Sequence, residues 1–253
     1  MNFQMFRLII INFFIILYSA QSHSELRIDI TQGNTEPIPV ALVPFETKNS
    51  KEVTISSDIA KVITNNLQRS GLFSMLPKKI FLTETLKFDS KPSFSDWKIT
   101  TAQGLIHGDL SLSGEKLNIK FRLWDVFSEK QMVAQQLTTE VDNWRRIAHV
   151  ISDIIYKRIT GESGYFDSRI VYISESGPKN NRKKRLAIID QDGENHKFLT
   201  DGSYLALTPR FSPAAQEVAY LSYNNTIPRI FLLDLNTGLQ KILGDFPGMT
   251  FSP

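Results

Sequence analysis

The 253-residue chain contains no cysteine. Disulfides, cysteine-ligated zinc, iron–sulfur clusters and a thiol nucleophile are therefore all excluded. It has little excess charge of either sign: 29 Lys and Arg stand against 26 Asp and Glu, a net charge of +3. With the basic residues spread along the chain, that balance does not indicate a nucleic-acid partner. Only four histidines are present, His23, His107, His149 and His196, and none stands at metal-ligand spacing from another. There is no phosphate loop and no dinucleotide fingerprint. Gly161-Glu-Ser-Gly164 is one residue short of a nucleophile elbow and follows a helical pattern instead of a strand. No catalytic residue, metal or cofactor is expected.

A membrane-spanning apolar run is also missing. The longest run, Leu8 to Leu17, is interrupted by Asn12 and is about half of the roughly 20 residues a spanning helix needs. Arg7 precedes it and the small residues Ser19, Ala20, Ser22 and Ser24 follow it. A basic start, a short apolar run and a small-residue exit describe a secretory signal peptide over residues 1–24. Cleavage fits after Ser22 or after Ser24. An uncleaved anchor is the competing reading, and the shortness of the run argues against it. The remainder reads as an exported globular chain, with 42% hydrophobic and 22% charged residues overall.

In Glu25-Leu-Arg-Ile-Asp-Ile30 apolar and polar residues alternate, the period of a strand. Thr31 to Pro39 carries Gly33, Pro37 and Pro39 and reads as a linker. From residue 40 to 162 strand and helix patterns mix, which predicts an α/β domain. Val40 to Phe45 reads as a buried strand. Ser56, Ser57 and Asp58 offer N-caps to a helix running through Ile59, Val62, Ile63 and Leu67 and ending at Gly71. A second short helix is expected over Trp97–Gln103, ending at Gly104. Leu105–Leu112 and Leu117–Trp124 form a hairpin, Met132–Val141 a third strand, and a longer helix ends near Gly161.

After Gly164 short strand patterns repeat. Ile170–Ser174 matches Val218–Ser222, Arg185–Asp190 matches Arg229–Asp234, Lys197–Leu199 matches Lys241–Leu243, and Phe211–Pro213 matches Phe251–Pro253. The offsets lie between 40 and 48 residues, the period of a propeller blade. Residues 165–253 are thus read as the start of an all-β propeller. Two blades do not close a ring, so further blades are expected beyond Pro253. Lys179, Arg182, Lys183, Lys184 and Arg185 form a basic cluster between two blade strands. It reads as a solvated loop in preference to a phosphate-binding patch, because no aromatic residues are interleaved.

Together these segments resemble the TolB family of the Tol-Pal cell-envelope system. Glu25–Ile30 resembles its N-terminal box, Val40–Phe45 its Val-Pro-Phe strand, and Leu67-Gln-Arg-Ser-Gly-Leu-Phe73 its Leu-x-x-Ser-Gly-x-Phe motif. Gly161 resembles the Leu-Thr-Gly helix end, with Ile159 in place of leucine. Phe211-Ser-Pro213 with Val218-Ala-Tyr220 resembles the blade repeat, although Ala214-Ala215 replace the usual Asp-Gly and remove that turn's side-chain acceptor and glycine. The resemblance implies a monomeric periplasmic adaptor with an α/β domain and a six-bladed propeller, linking the inner-membrane protein TolA to the outer-membrane lipoprotein Pal. Such an adaptor supports outer-membrane integrity and constriction during division. It also implies that Glu25, Leu26, Arg27, Ile28, Asp29 and Ile30 contact TolA. The rival classes are the propeller portion of an exported hydrolase and a propeller that binds a small ligand.

Overall fold

The computed structural model describes residues 36–83, 85–224 and 227–243. Residues 1–24, read as a signal peptide, Glu25–Ile30 and Phe251–Pro253 lie outside the described residues. The chain divides into two compact units, residues up to 147 with 155–162, and residues 148–154 with 163 onward.

The first unit is a mixed five-stranded sheet with helices. β1 (Ile38–Leu42) lies between β2 (Phe73–Met75) and β3 (Gly104–Ser113) and is parallel to both. A parallel pair needs a crossover. α1 (Ser50–Arg69) supplies it between β1 and β2, and α2 (Phe94–Ile99) lies on the way to β3. β3, β4 (Lys116–Asp125) and β5 (Lys130–Glu140) continue as an antiparallel meander, and α3 (Trp144–Thr160) follows. The alternation read in β4 places Leu117, Ile119, Phe121 and Leu123 on one buried face. Ala41, Val43, Leu105, Trp124 and Val126 form a second cluster with Phe94, Trp97 and Ala102.

Several element boundaries differ from the sequence reading. β1 runs Ile38–Leu42, not Val40–Phe45, because its pairing with β2 already begins at Ile38. α1 starts at Ser50, not beside Ser56 to Asp58, because Asn49 caps it: its side chain accepts from the Glu52 N–H at 3.0 Å. Ser56 lies inside the helix and donates to the Phe45 carbonyl at 3.2 Å. The short helix spans Phe94–Ile99, not Trp97–Gln103, and Gly104 opens β3 instead of ending a helix. The helix ends at Gly71 and Gly161 are as read; both residues have positive φ, +76° and +82°, which glycine tolerates.

Glu52 joins α1 to the sheet. Among the described residues no strand covers the outer edge of β3 beyond Glu46, and the Leu112 N–H there donates to Glu52 Oε1 at 3.0 Å. The Lys48 N–H donates to Oε2 at 2.7 Å. The residue is 3% exposed. Burial alone would raise its pKa, but the Leu112, Lys48 and Asn49 hydrogen bonds hold it below the ordinary 4.5. A depressed carboxylate contributes stability above its unfolded pKa and loses it as pH falls through the folded value. Glu52→Ala leaves two N–H groups without an acceptor and should cost about 1–3 kcal/mol at neutral pH. Urea unfolding checks this, and an unchanged midpoint would show that water replaces the carboxylate without loss.

The second unit bears out the repeat. β6 (Arg169–Ser176), β7 (Lys183–Asp190) and β8 (Lys197–Phe198) form one antiparallel sheet. β9 (Ala206–Phe211), β10 (Glu217–Asn224), β11 (Ile227–Asp234) and β12 (Gln240–Ile242) form the next, in the order β12-β11-β10-β9. The pairs matched in the sequence fall on equivalent strands, β6 with β10, β7 with β11 and β8 with β12. One buried cluster, Leu186, Ala206, Val218, Tyr220, Phe231 and Leu233, spans both sheets, with Val171 and Ile173 packed against it. These are successive blades sharing a core, as a stacked repeat requires.

Candidate functional site

The segment singled out for partner binding, Glu25 to Ile30, lies outside the described residues. Its attachment is described: Glu36 and Pro37 lead directly into β1, the strand enclosed on both sides in the sheet. The linker read over Thr31–Pro39 is thus corrected at its end, where Ile38 and Pro39 already belong to β1.

The blade hairpins carry the loops that a propeller presents. At Asp234-Leu-Asn-Thr-Gly238 the Asp234 carboxylate accepts from the Asn236 and Thr237 N–H groups at 2.8 and 2.9 Å, and Gly238 takes φ +73°. These bonds outweigh the small cost of burial and hold Asp234 below the usual carboxylate value. The equivalent turn at Asp190–Gly193 places φ +90° at its glycine. At Ala214-Ala215 the missing aspartate is replaced from nearby, since Ser212 Oγ accepts from both alanine N–H groups at 3.3 and 3.2 Å. The turn keeps an acceptor that the family pattern supplies differently.

The basic cluster is largely engaged. Glu175 pairs with Lys184 at 2.7 Å and with Arg182 at 3.4 Å, and the Lys184 hydrogen bond holds the Glu175 carboxylate low. The Arg185 guanidinium lies 3.5 Å from the centre of the Phe198 ring. Three of the five cations face a carboxylate or a ring, and Lys183, Lys184 and Arg185 belong to β7, paired with β6, so only Lys179 and Arg182 lie in the connecting loop that was expected to hold all five.

One constellation has no counterpart in the sequence reading. Within the second unit, His149, Asp190 and Asp192 bring one ligand atom each within 4.8 Å of the others. His149 is 2% exposed, and its Nε2 lies 3.5 Å from Asp192 Oδ2. Asp190 also accepts from the Asn195 side chain at 2.6 Å. An imidazole with two carboxylates is a donor set able to hold a divalent transition metal. Without one, the buried His149 imidazole faces the Asp192 carboxylate. Four residues along the same helix, Asp153 accepts from the Phe166 and Asp167 N–H groups at 2.7 and 3.0 Å. Burial raises its pKa in spite of those bonds. Gly164 passes so near Asp153 that an added Cβ would fall 2.5 Å from its Cα, so only glycine fits this crossing.

A family model described as the TolB amino-terminal domain matches residues 26–132, and one described as the TolB beta propeller domain matches residues 156–253. The Tol-Pal system protein TolB of Paramagnetospirillum magneticum is 49% identical over 231 residues, covering 91% of this chain and 52% of that protein. The protein of the same name from Pelagibacter ubique is 48% identical over 246 residues, covering 94% and 55%. The chain thus spans about half the length of these curated relatives. The crystal structure of TolB from Acinetobacter baumannii superposes with a TM-score of 0.70 at 25% identity, covering 88% of this chain and 53% of that one.

Proposed function

The chain belongs to the TolB family, and on that footing we propose that it is a periplasmic adaptor of the Tol-Pal system that binds TolA through Glu25–Ile30 and Pal through its propeller. In that role it helps to keep the outer membrane intact and to draw the envelope inward at division. The observation that carries the reading is the pairing, in one chain, of an α/β unit with successive propeller blades, both matched by TolB family models. The alternating Glu25–Ile30 segment before a Gly- and Pro-containing tether supports the assignment of the TolA contact, because such a strand can add to a partner's sheet edge. An adaptor role rather than an enzymatic one accords with a sequence that lacks cysteine, a nucleophile elbow and a phosphate loop.

Export is tested by sequencing the N-terminus of material released from the periplasm. The expected start is Glu25, after the Ser22-His23-Ser24 exit; His23 would mean cleavage after Ser22, and an intact Met1 would contradict export. The adaptor reading itself is tested by immobilising the exported chain and passing solubilised envelope proteins over it. TolA and Pal should both be retained, and retention of neither would sink the proposal.

A further inference from the structure

The first unit carries a cleft of about 520 Å³ lined by Pro44, Phe45, Val53, Phe81, Lys78 and Lys79, with the hydroxyls of Thr47, Ser56, Ser57 and Thr85 around it. That volume is within the range of small-ligand and peptide side-chain sites, roughly 300–1,000 Å³. Its apolar walls are fixed. Phe45 is 3% exposed and Phe81 stands edge-on to Trp97 at 5.1 Å. Val53 is 55% exposed on the outer side of α1, an apolar side chain left facing the opening. Pro77 sets the backbone entering the single turn Lys78–Ile80, which places two adjacent lysines at the rim. Among the described residues neither lysine has a carboxylate within 4.0 Å. Elsewhere in the same unit an exposed lysine does find one, as Lys98 finds Glu129 at 2.9 Å.

We infer that this cleft receives a short acidic, apolar peptide segment of a partner protein, its carboxylates against Lys78 and Lys79 and an apolar side chain over Val53 and Phe81. Charge complementarity selects the occupant. Two neighbouring cations repel one another, and an anion that reaches both relieves this. A free phosphate would meet the rim and leave the apolar floor wet. A segment alternating acidic and apolar residues satisfies both parts, and its apolar residue gains from the area removed from water. The site goes beyond the partner contacts proposed above.

The probe is a fluorescein-labelled hexapeptide, Asp-Phe-Glu-Leu-Asp-Leu, followed by anisotropy with the exported chain. Saturable binding is expected with a dissociation constant below about 1 mM, with none for the analogue carrying lysine at the acidic positions. Exposed pairs are individually weak, so both charges are reversed together, and K78E/K79E should weaken binding about tenfold. Val53→Asp lies on an exposed helix face, leaves folding intact by circular dichroism, and should weaken binding to a similar degree. The inference is overturned by absence of saturation, by equal binding of the basic analogue, or by indifference to K78E/K79E. It is equally overturned if phosphatidylglycerol vesicles bind through these lysines while the peptide does not. Binding only after deletion of residues 25–35 would assign the cleft to the chain's own tail and would likewise overturn it.

Discussion

Between pH 6.5 and 4, the first unit should lose about 3 kcal/mol of stability through a single imidazole. His107 is fully buried on β3, opposite Arg122 of β4. Its Nε2 accepts from the Trp124 indole N–H at 2.9 Å, which places the proton of the neutral ring on Nδ1. Among the described residues Nδ1 has no hydrogen-bond partner. Burial, and then the nearby Arg122 charge, push the pKa down from 6.5 to about 4. The folded state therefore resists a proton that the unfolded chain accepts at pH 6.5. Stability from this group is complete above 6.5, declines as pH falls, and is exhausted near 4. Trp124 is a built-in reporter, so urea unfolding followed by tryptophan fluorescence across this window measures the slope. His107→Gln keeps an acceptor for the indole without a titrating ring, and its stability should be flat over the same range apart from the carboxylates. An equal slope in both proteins would place the acid sensitivity elsewhere.

Most of the architecture was legible because it rests on periodicity. The 2-residue alternation in Leu117–Trp124, the 3.6-residue spacing in the two long helices, and the glycines at 71 and 161 each reflect a local physical demand. So does the 40–48-residue repeat, since a blade cannot bury its faces alone. The N-terminus of α1 was also written in the sequence: Asn49 followed three residues later by Glu52 is a capping-box spacing with asparagine in the serine position. The serines at 56 and 57 are equally good caps by residue type, and they masked it. The Phe94–Ile99 helix has six residues, too few for a period to register. The His149, Asp190 and Asp192 group was invisible for a different reason. More than forty residues separate the histidine from the aspartates, and only tertiary structure joins them. The braced basic hairpin likewise depends on Glu175 lying opposite Lys184 across β6 and β7, a register that charge composition does not reveal.

Glu25–Ile30 is short, apolar on alternate residues, and precedes β1, a strand paired on both sides in the sheet. Such a segment has two uses for its strand-forming face, its own protein or a partner's sheet edge. If docked and free states differ by a few kcal/mol, a ligand preferring one of them shifts the other's availability. Pal bound at the propeller would then regulate TolA at the tail, and linkage requires the same factor in reverse. Titration calorimetry of a complete-length protein and of its deletion lacking residues 25–35, each against TolA and against Pal, measures this directly. The account predicts that the deletion loses TolA binding altogether and binds Pal with the affinity of the intact protein or more weakly by no more than the linkage factor. Unchanged TolA affinity in the deletion would place the contact elsewhere and contradict the account.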